Sequence, residues 1–217
     1  VADTDAKAPR ERYRTQVRGE IKQHAWEQIA SAGASALSLN AIAKRMGMSG
    51  PALYRYFAGR DDLLTELITD AYRSLADTFR TAAGAGPDLA ALAHALRGWA
   101  LEDPQRYFLI YGTPVPGYRA PDDVTLIADE IMTTLLDACA ALPPDGTATP
   151  FDGHLEERRQ WAGEHPAPPA VLRRALTFWT RMHGVLSLEL AGHFTGMRFD
   201  AALFFESELR ELLSSET

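Results

Sequence analysis

The sequence predicts an all-α protein, and three observations carry that prediction. Apolar residues recur at three- and four-residue spacing in nearly every segment between Val17 and Leu213, the period of helices buried on one face. No stretch keeps the apolar–polar alternation of a half-buried strand, and no internal repeat occurs. Glycine and proline gather between the periodic stretches, around residues 33, 47, 84–87, 112–117, 143–153 and 166–169, as helix stops and loops require.

The elements follow in order. Residues 1–15 are polar and are expected to form a flexible N-terminal arm, with Arg10, Arg12 and Arg14 on alternate positions. Two readings stay open for it: a solvated tail, or an arm that touches phosphate or the minor groove. A first helix is expected over residues 17–32, where Val17, Ile21, Ala25, Ile29 and Ala32 make one stripe and Gly33 ends it. Residues 38–57 read as two short helices joined by a tight turn. Ser38 suits the N-cap of the first. Leu39, Ile42, Ala43 and Met46 form its apolar face, and Gly47 offers the left-handed stop. Ser49 suits the cap of the second helix, expected over residues 50–57, with Pro51 in its first turn. Leu53 and Phe57, four apart, face the core together and leave Ala52, Tyr54, Arg55 and Tyr56 to the other faces. Such a hairpin is open to two uses, packing in a core or entering a DNA major groove.

A longer helix is expected from Asp61, whose carboxylate and that of Asp62 suit the positive end of the helix dipole. Its stripe runs through Leu64, Leu67, Ile68, Ala71, Leu75 and Phe79 to the stop at Gly84-Ala-Gly86-Pro87. Further helices are expected from Asp88, from Pro104, from Pro121, over residues 154–161 as a short amphipathic piece, over residues 168–194, and over residues 200–213. Residues 112–118 and 143–153 read as loops.

Charge divides along the chain. Net charge is −7, yet residues 1–60 hold ten Lys or Arg against five Asp or Glu, a balance of +5, and the remainder holds twelve against twenty-four, a balance of −12. A basic head on an acidic body is the layout of a DNA-binding domain attached to something else. No apolar run is long enough to span a bilayer, and the N-terminus lacks the apolar core of a signal peptide. The single cysteine, Cys139, excludes an internal disulfide framework and fits a reducing cytoplasm.

The segment through Leu39, Ile42, Ala43, Met46, Gly47, Ser49, Leu53-Tyr54-Arg55-Tyr56-Phe57 and Asp62-Leu63-Leu64 resembles the helix-turn-helix of the TetR family of transcriptional regulators. Gly50-Pro51 departs from the small polar or basic pair common there, and Arg60 stands where lysine is common. Phe178-Trp179, Met182-His183-Gly184-Val185, Ser187-Leu188-Glu189-Leu190 and Gly192-His193-Phe194 are similar to the Trp-His-Gly type of TetR C-terminal domain. The resemblance implies a helix-turn-helix DNA-binding domain over residues 16–76 and an effector-binding and dimerisation domain over 77–217. Ser38, Lys44, Arg45, Ser49, Tyr54, Tyr56 and Arg60 are the phosphate and positioning candidates. Gly50, Pro51, Ala52 and Arg55 are the candidates beside base edges. Trp99, Tyr107, Phe108, Tyr111, Trp179 and His183 are open to two roles, ordinary core or the wall of an apolar effector cavity.

The expected partners are a double-stranded DNA operator, an unidentified small-molecule effector and a second copy of the chain. That copy would be met through the last two helices. The expected role is a regulator, a repressor released by its effector. The alternative is a helical enzyme or ligand-binding protein acting on an apolar small molecule. No nucleophile elbow, His-Glu-x-x-His or phosphate-binding glycine loop occurs, so no catalytic residue and no cofactor is assigned. Glu189 and His193 have the i, i+4 spacing of two ligands, with His183 nearby, but so sparse a set assigns no metal.

Overall fold

The computed structural model describes residues 3–143 and 148–214, with side chains from residue 9 on. Among them there are helices and turns and no strand. The chain divides into two compact units, one taking the chain up to Ala71 together with Phe108–Pro121, the other Tyr72–Tyr107 and the chain from Asp122 on. That division falls inside one helix, before the sequence-expected boundary at residue 76. It also assigns a loop expected in the second domain to the first.

In the first unit, helix α1 spans Asp3–Ala32. The expected arm is thus helical from Asp3, and the helix does not wait for Val17. Residues 9–16 are exposed and carry no apolar stripe, so periodicity gives no sign of them, although Arg, Glu and Gln are good helix formers. From Val17 on, Val17, Ile21, Ala25 and Ile29 are buried as expected, while Ala32, the last residue of the helix, is exposed. Gly33, at φ 79°, closes the helix. A 3-10 turn, Ala34–Ala36, leads to α2, Leu39–Arg45, and α3, Gly50–Leu53. α3 is shorter than the expected 50–57. Beyond Leu53 the chain goes on in hydrogen-bonded turns, Tyr56 N–H to Leu53 O at 2.8 Å and Phe57 N–H to Leu53 O at 3.3 Å, so Phe57 still reaches the core. Leu37, Leu39, Ile42, Leu53, Phe57, Leu63, Leu64 and Leu67 are buried there.

Helix α4 spans Arg60–Ala83 and runs through both units. α5 is Leu89–Glu102, capped by the Asp88 carboxylate, which accepts from the N–H groups of Ala90 and Ala91 at 2.9 and 3.2 Å. α6 is Pro104–Tyr111 and α7 is Asp122–Ala140. α8, Pro150–Glu157, starts inside what reads as loop, because Thr149 and Asp152 form a reciprocal capping box that pins its first turn. Residues 144–147 of that expected loop lie outside the described residues. A 3-10 turn, Arg159–Ala162, precedes α9, Pro169–Leu190. α9 stops short of Phe194 because Gly192 turns left-handed at φ 78°. α10 is Ala201–Ser214.

In the second unit α9 is central. It packs on α7, α8, α10 and α5. Phe178, Met182 and Leu186 of α9 are buried, as are Leu92 and Leu96 of α5, Leu135 of α7 and Phe205 of α10. No described helix is long and apolar enough to cross a membrane.

Candidate functional site

The turn between α2 and α3 is specified by a few polar groups. Ser38 sits in extended backbone, and its hydroxyl accepts from Ala41 N–H at 3.4 Å. The Gln28 carboxamide of α1 grips the same residue, accepting from Ser38 N–H at 2.9 Å and donating to its carbonyl at 3.4 Å. Gly47 adopts φ 65°. The turn then closes as Met48 N–H reaches Ala43 O at 2.9 Å, a helix stop that needs a residue free of Cβ strain. Ser49 caps α3 through Ala52 N–H at 3.3 Å, and Pro51 occupies its first turn. The far end is held by Asp62, which accepts from Ala58 N–H at 2.9 Å. Arg18 also holds it, donating to Tyr56 O, pairing with Glu66 and lying 4.2 Å from the Phe57 ring centroid. With Leu53 and Phe57 fully buried, Tyr54 stays 49% exposed and Arg55 is exposed beside it. Gly50, Ala52 and Tyr56 are half-buried, and Ser49 and Pro51 exposed.

The cations of this unit sort into two groups. Arg45 pairs with Glu27 at 2.7 Å. Arg60 donates to the carbonyls of Ala34 and Ser35 at 3.1 and 3.4 Å and meets Asp61 at 3.4 Å. Lys22 pairs with Asp70 at 2.6 Å. These side chains already have partners within the fold. Lys44 and Arg55 are exposed and form no ion pair with the described residues, and the same holds for Arg10 and Arg14 on α1. Beside α3 lies a cleft of about 420 Å³, lined on one side by Arg10, Tyr13 and Arg14 and on the other by Ala52, Arg55 and Tyr56. Gln28 and Arg18 are absent from the sequence-predicted set, while Arg10 and Arg14 belong to the stretch for which a solvated tail and a phosphate-touching arm both stay open. Four-residue spacing of the two arginines is the available signal, once that stretch is taken as helix.

Four of the six aromatic or imidazole candidates lie in the second unit. Trp99, Tyr107, Trp179 and His183 come together. The Tyr107 hydroxyl lies 2.9 Å from His183 Nδ1 and 2.9 Å from the Ser187 hydroxyl. The Trp179 and His183 rings are 4.2 Å apart, Tyr107 stacks on His183 at 5.6 Å, and Trp99 meets Tyr107 edge-on at 6.5 Å. Trp99 Nε1–H donates to Ser74 at 3.1 Å, and the Arg106 guanidinium covers the Trp99 ring at 4.8 Å. Burial drives the His183 pKa down to about 4, so the ring is neutral, and its tautomer sets the direction of the bond between Nδ1 and the Tyr107 hydroxyl. Burial also raises the Tyr107 phenol, against an opposing hydrogen bond from Ser187. Phe108 and Tyr111, although on α6 with Tyr107, fall in the other compact unit.

Glu189 is held by Arg97 at 2.6 Å and His193 is exposed. Among the described residues, no three His, Cys, Asp or Glu side chains gather in metal-binding geometry. A cleft of about 260 Å³ opens between α7 and the Arg159–Ala162 turn, lined by Asp129, Met132, Thr133, Trp161, Glu164 and His165. None of these residues is in the sequence-predicted set.

Residues 89–212 match the model described as "Tetracyclin repressor-like, C-terminal domain", and residues 21–67 match "Bacterial regulatory proteins, tetR family". The chain is 36% identical over 217 residues to the HTH-type transcriptional regulators Rv1816 of Mycobacterium tuberculosis and Mb1846 of Mycobacterium bovis, covering 93% of this chain and 92% of each relative. It is 73% identical to SCO4313, a crystal structure described as a candidate regulatory protein, with a TM-score of 0.87 over 94% of this chain and 98% of that one. A Rhodococcus sp. RHA1 protein of unknown function shares the fold at 22% identity and a TM-score of 0.66, over 90% of this chain and 93% of that one.

Proposed function

The chain belongs to the TetR family of bacterial transcriptional regulators, and on that premise we propose that it works as a dimeric repressor, held on a palindromic operator and released by a small, largely apolar effector. The observation that carries the DNA half is the α2–α3 turn. It is capped at both helices, anchored by Leu53 and Phe57, and presents Tyr54, Arg55 and Lys44 exposed and without ion pairs among the described residues. Ser38, Lys44, Ser49, Tyr54 and Tyr56 serve phosphate contact and positioning. Gly50, Pro51, Ala52 and Arg55 approach base edges. Arg45 and Arg60, with partners in the fold, act first by shaping the head.

Dimerisation uses α9 and α10, which leave Leu188 and Leu203 45% and 70% exposed, an apolar face that a second copy would cover. Two heads on one duplex then sit about 34–36 Å apart, or a multiple of it, and match a palindrome. The effector site draws on Trp99, Tyr107, Trp179 and His183. These groups combine large apolar faces with a few polar tips, the usual make-up of a small-molecule site. Release requires that the effector bind one head arrangement better than the other. α4, continuous from Arg60 to Ala83, is one of the covalent links between the two units.

The test is selection of fragments from random or genomic DNA by the purified protein, followed by titration at two salt concentrations. A palindromic consensus bound with steep salt dependence supports the reading. Failure to enrich any sequence, with the protein folded, dimeric and stripped of bound ligand, would sink it.

A further inference from the structure

The cleft beside α3 gathers positive charge from both of its walls. Arg10, Arg14 and Arg55 all line it, and no carboxylate does. Arg10 and Arg14 are one helical step of four apart, so they share a face of α1. Both are exposed and form no ion pair with the described residues. Tyr13, 63% exposed, and Tyr56 bring two phenol rings to the same concavity. Three guanidinium groups around one groove repel one another until an anion enters it. The opposite wall is Ala52 and Arg55, residues already assigned to base edges, so the groove is continuous with that surface. This stretch also precedes residue 21, where the family's head model begins to match.

We propose that residues 10–14 of α1 are a second DNA-contacting element, in which Arg10 and Arg14, across the cleft from Arg55, hold the sugar–phosphate backbone flanking the base pairs met by α3. This rests on the DNA-binding reading of the head. The ligand chemistry is the phosphodiester, and arginine and tyrosine are standard donors to it. The element therefore adds affinity and salt dependence on any duplex and leaves the choice of sequence to the recognition turn.

The experiment compares the full chain with the double variants R10Q/R14Q and R10K/R14K and the single variant R55Q. Each is titrated on the selected operator and on an unrelated duplex across a series of salt concentrations. Glutamine keeps helix propensity, and circular dichroism checks that the fold survives. Loss of two phosphate contacts should lower the log–log salt slope by about 1.8 and weaken binding roughly thirty-fold at 0.15 M salt, equally on both duplexes. R10K/R14K should keep the wild-type slope, since lysine also neutralises phosphate.

An unchanged slope and affinity in R10Q/R14Q, alongside weakened binding in R55Q, would overturn the proposal while leaving the recognition turn in place. So would a change in sequence preference with the slope intact, which would make the arginines base readers. If the wild-type chain bound neither duplex, the DNA reading would fall and this element with it. Inorganic phosphate at millimolar concentration serves as the remaining probe. Displacement of operator by phosphate alone, beyond the ionic-strength effect, would mean a small-anion site and would also overturn the proposal.

Discussion

The two compact units treat their polar side chains in opposite ways. Around the recognition turn of the first, Lys44, Tyr54 and Arg55 are exposed, and the two cations have no ion-pair partner among the described residues. In the second, several largely buried polar side chains pair inside the fold. Arg97 and Glu189 pair at 2.6 Å, each side chain only 17% exposed. Arg174 donates to the carbonyls of Cys139 and Pro143 at 2.8 and 2.6 Å. The Asp152 carboxyl is held below the usual range, chiefly by the Thr149 backbone N–H and also by Arg173 at 2.8 Å. The Tyr107 hydroxyl bonds both His183 Nδ1 and the Ser187 hydroxyl at 2.9 Å. A surface that exchanges water for a charged partner keeps its donors at the water interface. A core that must hold one arrangement pairs them, because an unmatched buried polar group is costly.

The largest expected effect tests the second unit. Arg97→Ala leaves Glu189 without its cation in a largely dry site, and stability should fall by about 3 kcal/mol, read by denaturant unfolding. Glu189 Oε2 and Arg97 Nε are already buried without hydrogen-bond partners among the described residues. The double variant Arg97→Met/Glu189→Leu should therefore recover most of the loss. In the first unit Arg45→Ala breaks the exposed pair with Glu27 and should cost less than about 1 kcal/mol. Equal losses in the two units would break the contrast.

Next comes pH. The His183 pKa is lowered to about 4 from 6.5 by burial. The unfolded chain therefore takes up this proton near pH 6.5, whereas the folded chain resists it until about 4. The stability tied to a neutral ring is complete above 6.5 and is lost as pH falls toward 4. Its size is on the order of 3 kcal/mol at about 1.4 kcal/mol per unit. Unfolding curves of wild type and His183→Gln across that window should converge toward acid. Parallel curves would mean that the ring is not held neutral by burial.

Much of the head is legible in the sequence because its signals are local. Ser38, Gly47, Ser49 and Pro51 act within a turn of themselves, and Leu53 and Phe57 are set by four-residue spacing. The parts that stay hidden depend on distance. Gln28 clamps Ser38 from another helix, and nothing in its neighbourhood marks it. Arg45 and Arg60 are visible as charges, but their partners Glu27 and the Ala34 carbonyl lie far off in sequence. The first turns of α1 carry no apolar stripe, so periodicity is silent there. In the body, residue type singles out Trp99, Tyr107, Trp179 and His183. Type alone cannot tell that Tyr107 is fully buried, or that Phe108, its neighbour in sequence, falls in the other compact unit. The cleft beside Trp161 has no sequence signature, because its walls come from α7 and a 3-10 turn with no shared pattern.

Two smaller effects sharpen the contrast from the side of the head. Ser49→Ala removes the hydroxyl that accepts from Ala52 N–H and should cost about 1 kcal/mol, measured by thermal unfolding. Ser49→Asp keeps an oxygen in the capping position and should hold stability near wild type. It also adds a negative charge where phosphate is expected, so operator affinity should fall in the aspartate variant without a matching fall in stability. Affinity that instead tracked stability across the two variants would reduce Ser49 to a helix cap with no place at the DNA.

The smallest stability effect belongs to Tyr54. Its side chain is 49% exposed, and Leu53 and Phe57 on either side supply the anchorage. Tyr54→Ala should therefore shift unfolding by no more than about 0.5 kcal/mol. Operator binding should weaken nonetheless, and by a similar factor on unrelated duplexes, because a phenol beside the groove positions the head through backbone contact and carries no sequence information. Tyr54→Phe separates the two parts of that residue. If the hydroxyl donates to phosphate, phenylalanine should bind as weakly as alanine. If ring packing matters more, phenylalanine should bind like wild type. Unchanged affinity in Tyr54→Ala would move the DNA off this face of the turn altogether. The exposed donors would then be an ordinary solvated surface, and the difference between the two units would lose its functional meaning.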